Sequence, residues 1–341
     1  MKMNLLKYFH WYDKINEKFI IKRSKNMEIL KLKPVFKDYI WGGNRLRSEF
    51  GFESELDIMA EGWMLSARND GENIISGGNF DGQTFSKVIN DNPDFLGLNC
   101  KKFPFFPLLI KLIDAKNDLS VQVHPDDEYA MKAAGEFGKT ECWYILDCDE
   151  DAELIFGFKK QISKEEFKSS IEDGTFLQYV NREKVKKGDL FFIEAGTLHA
   201  IGKGILLAEI QQNSNITYRV YDYGRLGADG KPRPLHVQNA IDVTNCVPPK
   251  PKAKGAGIPE EFDGFTKQML VKCDLFTAEK YTAHGDFTMT ADDTSFLSLL
   301  ITDGNGKIGE FDVKKGDSLF VPASYGEFSV SGNFDMIVSR V

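Results

Sequence analysis

"VKKGDLFFIEAGTLH" spans residues 185–199 and "VKKGDSLFVPASYGE" spans residues 313–327. The two stretches open on the same five residues, continue through an apolar run and turn at small residues. The first ends on His199 and the second on Glu327. A Gly-Asp turn, a short buried strand and a second turn form the unit from which double-sheet jelly rolls are built. Its recurrence predicts two related barrels, and only the first copy carries a histidine at its end.

The rest of the chain agrees with a mainly β fold. "DLSVQVH", "CWYILDC", "GDLFFIEAG", "ILLAEIQQ" and "TYRVYDYG" alternate with period two between Gly, Asp and Asn turns. The 27 phenylalanines suit a β-rich interior. Three segments read as helices inserted in the first barrel. "DGQTFSKVINDNPDFLG" follows a Gly turn. "HPDDEYAMKAAG" starts on Pro and three acids and ends on Gly. "SKEEFKSSIEDG" places Ser163 and Glu166 as a capping box, with Gly174 as its stop. "CVPPKPKAKGAGIPEEFDG" is rich in Pro, Lys and Gly and reads as a linker. The layout is an extension over 1–26, a larger domain over 27–245, a linker over 246–264 and a small β domain over 265–341, read as short strands and turns. The extension "MKMNLLKYFHWYDKINEKFIIKRSKN" is basic, with neither the apolar stretch nor the cleavage site of a secretory signal.

Totals exclude several classes. The 341 residues carry a formal net charge of −8, without the basic face of a nucleic-acid binder. Local lysines and arginines still allow an anionic small substrate. No apolar run reaches the roughly 18 residues of a membrane helix. The five cysteines are odd in number and contain no C-x-x-C pair, which points to a reducing, cytoplasmic setting.

Five histidines are present, and two stand at informative places. His124 ends "SVQVH" before Pro125, so Ser120, Gln122 and His124 share one face of a strand, with Val121 and Val123 on the other. A polar face inside a barrel needs hydrogen-bond partners, water or a metal. His199 follows the small-residue turn of the first repeat. Glu141, in "GKTECWYIL", heads an apolar strand, where an acid is costly to bury unless paired or ligated. His124, Glu141 and His199 form a two-His, one-carboxylate set, and Gln122 offers a further oxygen. Zinc accepts such ligands, as do iron and manganese.

At these residues a family comes into view. "FPLLIKLIDAKNDLSVQVHPDD", "GKTECWYIL", "AGTLHAIGKG" and "QQNSNITYRVYDYGR" closely resemble the type I mannose-6-phosphate isomerases, in their short bacterial branch. "DYIWGGNRL" and "AEGWMLSA" extend the resemblance, which covers nearly the whole chain from Met27. It implies a zinc-dependent enzyme built of two cupin-type jelly-roll barrels, with one zinc per chain held by Gln122, His124, Glu141 and His199. It further implies Arg219 as the catalytic arginine, Glu209 as the proton-transfer acid, and Ser120 and Lys139 as contacts to the substrate or its phosphate. Glu194 departs from the general cupin pattern, which has Pro before the Ala-Gly.

The chemistry implied is aldose–ketose isomerisation of a small sugar phosphate, mannose 6-phosphate to fructose 6-phosphate. It needs a base, a cation for the enediolate oxygen and a cationic grip on the phosphate. Arg225, Lys203 and His236 are further substrate-contact candidates, while His10 and His284 read as surface residues. The second barrel, with Glu327 in place of His199, is expected to bind no metal and to serve as a packed lid. A monomer or small homo-oligomer is the expected assembly. Two rival readings use the same residues: a cupin iron dioxygenase, and a non-catalytic sugar-phosphate-binding protein.

Overall fold

A computed structural model describes residues 27–227, 230–250 and 254–341. The chain is mainly β. One antiparallel sheet runs in the order Leu190–Ile193, Glu141–Cys148, Ile205–Gln212, Leu108–Ala115, Glu61–Leu65 and Val35–Lys37. A second runs Val180–Lys184, Glu153–Phe158, His199–Ala200, Val121–Val123 and Tyr218–Tyr221. Side chains from both inner faces meet between them: Trp143, Ile145 and Leu207 from the first sheet pack with Leu154 and Phe156 from the second. This is the first jelly roll.

Strand parity sorts the second sheet as its alternation predicts. Val121 and Val123 are buried on the outer face with Phe158, Val220 and residues of two covering helices, Phe167 and Ala240. The helices are Lys164–Glu172 and Val237–Val243. The first begins on the expected capping box, in which Glu166 N–H donates to Ser163 Oγ at 3.0 Å and Ser163 N–H to Glu166 Oε2 at 2.9 Å. The other two expected helices form over Phe85–Asp91 and Asp127–Ala134. Two further short helices, Arg45–Phe50 and Val237–Val243, are absent from the sequence reading; neither has a side-chain cap.

Eight C-terminal strands, with Leu30–Lys33 and Ile74–Ile75, form a ten-stranded sheet whose interior is filled by Leu299, Ile301, Phe334, Met336 and Val338 among others. Two of its strands are long, Leu297–Ile308 and Gly326–Arg340, where short ones were expected. The glycines read as turns are bends within the ladder. Gly306 faces Gly332 across it, and a Cβ on Gly306 would lie 2.3 Å from Ser331 O. The expected linker likewise ends in a strand, Glu260–Phe262, paired with Phe265–Lys272. Leu30–Lys33, counted with the first unit by its place in the sequence, is hydrogen-bonded to Ser318–Val321 of the C-terminal sheet.

The repeated turn is the same object twice. Lys186 N–H donates to Asp189 Oδ2, and Lys314 N–H to Asp317 Oδ2, each at 3.0 Å. Gly188 and Gly316 each donate at 2.9 Å, to the carbonyls of Ile145 and Ile301. Those isoleucines donate back to the carbonyls of Asp189 and Asp317, again at 2.9 Å. The copies differ at their final residue: His199 is fully buried, whereas Glu327 is exposed.

The second barrel is a brace and not a lid. Leu32, Phe276, Phe296, Leu300, Phe320 and Ile337 pack on Leu108, Ile110, Tyr144, Ala208 and Ile210, the outer face of the six-stranded sheet. Ser318 Oγ donates to Met64 O at 2.7 Å across this contact.

Among the described residues no helix is long and apolar enough to cross a membrane. All five cysteines are unpaired.

The two turn glycines offer a matched test. Both have positive φ, +89° at Gly188 and +93° at Gly316. A Cβ on Gly188 meets nothing nearer than Tyr144 Oη at 4.0 Å, whereas one on Gly316 falls 2.7 Å from the Phe52 ring. Gly316→Ala should cost about 2 kcal/mol or more, exceeding Gly188→Ala by at least about 1 kcal/mol. Urea denaturation of both variants reads the difference, and equal losses would show that the Phe52 ring yields freely.

Candidate active site

His124, Glu141 and His199 converge inside the first barrel. One ligand atom from each lies within 4.8 Å of the others. Glu141 Oε2 is 3.9 Å from His124 Nε2, and Oε1 is 3.6 Å from His199 Nε2. All three side chains are buried. Each imidazole is aimed by a backbone carbonyl: His124 Nδ1 is 2.7 Å from Ile216 O, and His199 Nδ1 is 2.8 Å from Thr197 O. A carbonyl can only accept, so Nδ1 carries the hydrogen and Nε2 turns its lone pair to the centre.

The electrostatics suit a bound cation. Burial, then the Lys139 ammonium and His199, hold His124 well below the ordinary imidazole range. Burial and Lys139 bring His199 down to about 3. Both rings are therefore neutral and able to ligate. Burial and the like charge of Glu209 push the Glu141 carboxyl up to about 7. Glu141 Oε1 and His199 Nε2 are buried with no hydrogen-bond partner. Lys139 Nζ hydrogen-bonds Glu141 Oε2 and lies 3.2 Å from His124 Nε2, so a positive charge already meets this cluster. Two imidazole nitrogens and a carboxylate fit zinc, iron or manganese.

A second charged group lies beside the first on the six-stranded sheet. Trp143, Glu209, Lys111 and Trp63 are successive partners across four strands and so share its inner face. Lys111 Nζ lies 3.3 Å from Glu209 Oε1 and 3.5 Å from Glu61 Oε2. Trp143 Nε1–H donates to Glu209 Oε2 at 2.9 Å, and Trp63 Nε1–H to Glu61 Oε2 at 2.7 Å. Burial raises the Glu209 pKa, but Lys139 and Lys111 overcome it and bring the group down to about 2. Burial opposes the charge on Lys111, and Glu61 and Glu209 outweigh it, so its pKa is raised.

These groups open on a cavity of about 290 Å³. Ser120, Gln122, Lys139, Glu209 and Arg219 all line it, as do Lys111, Glu61 and Arg233. No residue of the C-terminal barrel does. Gln122 is the direct cross-strand partner of both His199 and Arg219. Arg219 Nη1 donates to Pro234 O at 2.9 Å, and its Nε is buried without a partner.

The eight principal candidates for metal, catalysis or substrate thus line this cavity or belong to the buried trio. The weaker candidates divide. His236 sits behind Arg219, accepting its backbone N–H at Nδ1 and donating its own N–H to Arg219 O at 2.8 Å. Arg225 lies against Asp222 outside the cavity, and Lys203 is exposed elsewhere. His284 is 46% exposed, while His10 lies outside the described residues. Sequence reading missed Lys111, Glu61 and Arg233. A signal for Lys111 existed: it is the lone cation within the apolar run "LLIKLI".

Comparison with known proteins agrees with this architecture. A family model described as phosphomannose isomerase type I, catalytic domain, matches residues 29–158. Another, described as mannose-6-phosphate isomerase, cupin domain, matches residues 266–341. Mannose-6-phosphate isomerase ManA of Bacillus subtilis (strain 168) is 40% identical over 319 residues, 92% of this chain and 99% of the relative. Mannose-6-phosphate isomerase of Streptococcus mutans is 37% identical over 305 residues, 88% of this chain and 94% of the relative. The crystal structure of the mannose 6-phosphate isomerase from Bacillus subtilis matches with a TM-score of 0.85 at 38% identity, over 92% of this chain and 100% of that one.

The Glu61–Lys111–Glu209 arrangement predicts a large stability loss on removing its centre. Lys111→Met leaves two buried carboxylates without the cation between them and should cost about 3–5 kcal/mol. Chemical denaturation measures this. A loss under about 1 kcal/mol would show that water already screens the pair.

Proposed function

The chain belongs to the type I phosphomannose isomerase family, a family of aldose–ketose isomerases, and we propose that it is a zinc enzyme interconverting mannose 6-phosphate and fructose 6-phosphate through an enediolate. The observation that carries this reading is the buried His124–Glu141–His199 trio, with an unpartnered nitrogen and oxygen, joined through Lys139 and Gln122 to a cavity lined by Glu209 and Arg219. His124, Glu141 and His199 would hold one zinc per chain, and Gln122, beside His199, would add an oxygen. When bound, zinc supplies a Lewis acid for the sugar oxygens at C1 and C2.

The protein's own groups account for the proton transfers. Glu209 Oε1, which makes no hydrogen bond but lies 3.3 Å from Lys111 Nζ and 3.6 Å from Lys139 Nζ, would take the proton from C2 of the opened aldose. The C2–H bond breaks, a C1–C2 double bond forms, and the electron pair of the C1 carbonyl moves to its oxygen. The same carboxyl returns the proton to C1, and the hydroxyl proton at O2 passes to O1, leaving the ketose. A carboxylate with a pKa near 2 is a weak base, so the transfer depends on cations that stabilise the developing enediolate. Arg219, Lys139 and Lys111 supply them at the cavity wall. Lys139 touches the trio itself, which gives it a role at the reacting end of the sugar; Ser120 would contact substrate from the neighbouring wall. A reducing, cytoplasmic setting accords with the five unpaired cysteines.

A coupled assay of mannose 6-phosphate conversion tests the reading. Chelation should abolish turnover, and adding back one equivalent of zinc should restore it. Arg219→Ala should lower kcat by at least about 100-fold with zinc content unchanged. Full activity in metal-free protein would rule out the zinc enzyme, and near-normal turnover in Arg219→Ala would remove that residue from the mechanism.

A further inference from the structure

The cavity is unevenly charged. At one end Glu61 and Glu209 are met by Lys111 and Lys139. At the other, Arg219 and Arg233 line it, and Arg225 and Asp222 stand behind them. Among the described residues, the ion pairs of Arg225 and Arg233 both end on Asp222, and Arg219 has none. The two arginines that line this end thus have a single carboxylate between them, which Arg233 shares with Arg225, and Arg219 Nε is buried there without a partner. Arginines so placed stay charged and call for an anion from outside.

We propose that Arg233, braced by Asp222, is the clamp that takes the phosphate of the substrate and makes the enzyme select phosphorylated sugar. The assignment rests on the sugar-phosphate reading above and adds the residue that recognises the ester. Arg233 lines the cavity. Its Nε donates to Asp222 Oδ2 at 2.7 Å and its Nη2 to Asp222 Oδ1 at 2.6 Å. That fork fixes the guanidinium plane and leaves Nη1 uncommitted to the acid. Asp222 is itself buried, so the brace is rigid. Arg225 completes the brace but does not line the cavity, and its Nη1 donates to Asp118 O.

Position supports the same polarity. His199, Gln122 and Arg219 are successive cross-strand partners, and His236 N–H extends the row by donating to Arg219 O. Neighbouring strands are about 4.8 Å apart, so Arg219 stands roughly two spacings from His199, with the segment carrying Arg233 flanking it on the far side. A sugar with C1 and C2 at the trio directs its C6 ester along that row, past Arg219 to Arg233. Lys139, against the trio, is at the wrong end for this role.

The test uses the zinc-loaded protein, with inorganic phosphate as the probe of the subsite. Arg233→Ala should raise KM for mannose 6-phosphate, and the inhibition constant of inorganic phosphate, by about 10- to 100-fold. kcat should stay within about threefold and zinc content should not change. Arg233→Lys keeps the charge but loses the fork, so both constants should rise by a smaller factor; it also serves if the alanine variant does not fold. A fall in kcat with KM and phosphate inhibition unaltered would overturn the clamp, as would phosphate that fails to bind the wild type. If the wild type binds phosphate through Arg233 yet turns over no mannose 6-phosphate, the clamp stands and the isomerase reading falls.

Discussion

A carboxylate with no exposed surface, Glu141, faces two imidazole nitrogens and a lysine ammonium, and the architecture serves that burial. Removing an ionised group from water costs several kcal/mol unless opposite charge and hydrogen bonds replace the solvent. In this barrel they do so in pairs. Lys139 answers Glu141, Lys111 answers Glu61 and Glu209, and two indole N–H groups pin the carboxylates that the lysines neutralise. Such a network works only if its members cannot drift, because a half-satisfied one is worse than an apolar core.

Rigidity comes from behind. Every charged side chain of this network on the six-stranded sheet leaves its inner face, and the alternate residues, Leu108, Ile110, Ala208 and Ile210, are clamped by the second barrel. That barrel is filled with aliphatic and aromatic side chains and contributes nothing to the cavity. The two copies of the turn therefore diverged in the use of their interiors and not in their frame. One interior became solid; the other gave up part of its packing to hold charge. Preorganised charge of this kind is what proton transfer between adjacent carbons requires.

Much of this was legible in the chain. Period two on "SVQVH" put Gln122 and His124 on the inner face and the valines outside, and the repeat announced two barrels with one histidine between them. The capping box at Ser163 was legible because it is wholly local. The features that escaped reading depend on distant partners. Arg233 is an ordinary loop arginine until Asp222 and the cavity wall are seen together. Glu61 and Lys111 meet across a sheet register that neither segment encodes alone. The long C-terminal strands were missed because glycines allow both a turn and a bend, and only the partner strand decides between them. The bracing role of the second barrel lay in which face of a sheet it covers, a matter of packing and not of pattern.

The pairing of Leu30–Lys33 with Ser318–Val321 ties the beginning of the described chain to nearly its end. During synthesis the first strand can pair early with Ile74–Ile75 on one edge, but its other edge leaves the ribosome almost three hundred residues before Ser318–Val321 exists. Contacts of such sequence separation are the slowest to form. The catalytic sheet also acquires its apolar backing from those last strands, so a nascent chain lacking its final segment has a charged interior with no support. The fold is in this sense closed by a contact between segments almost three hundred residues apart.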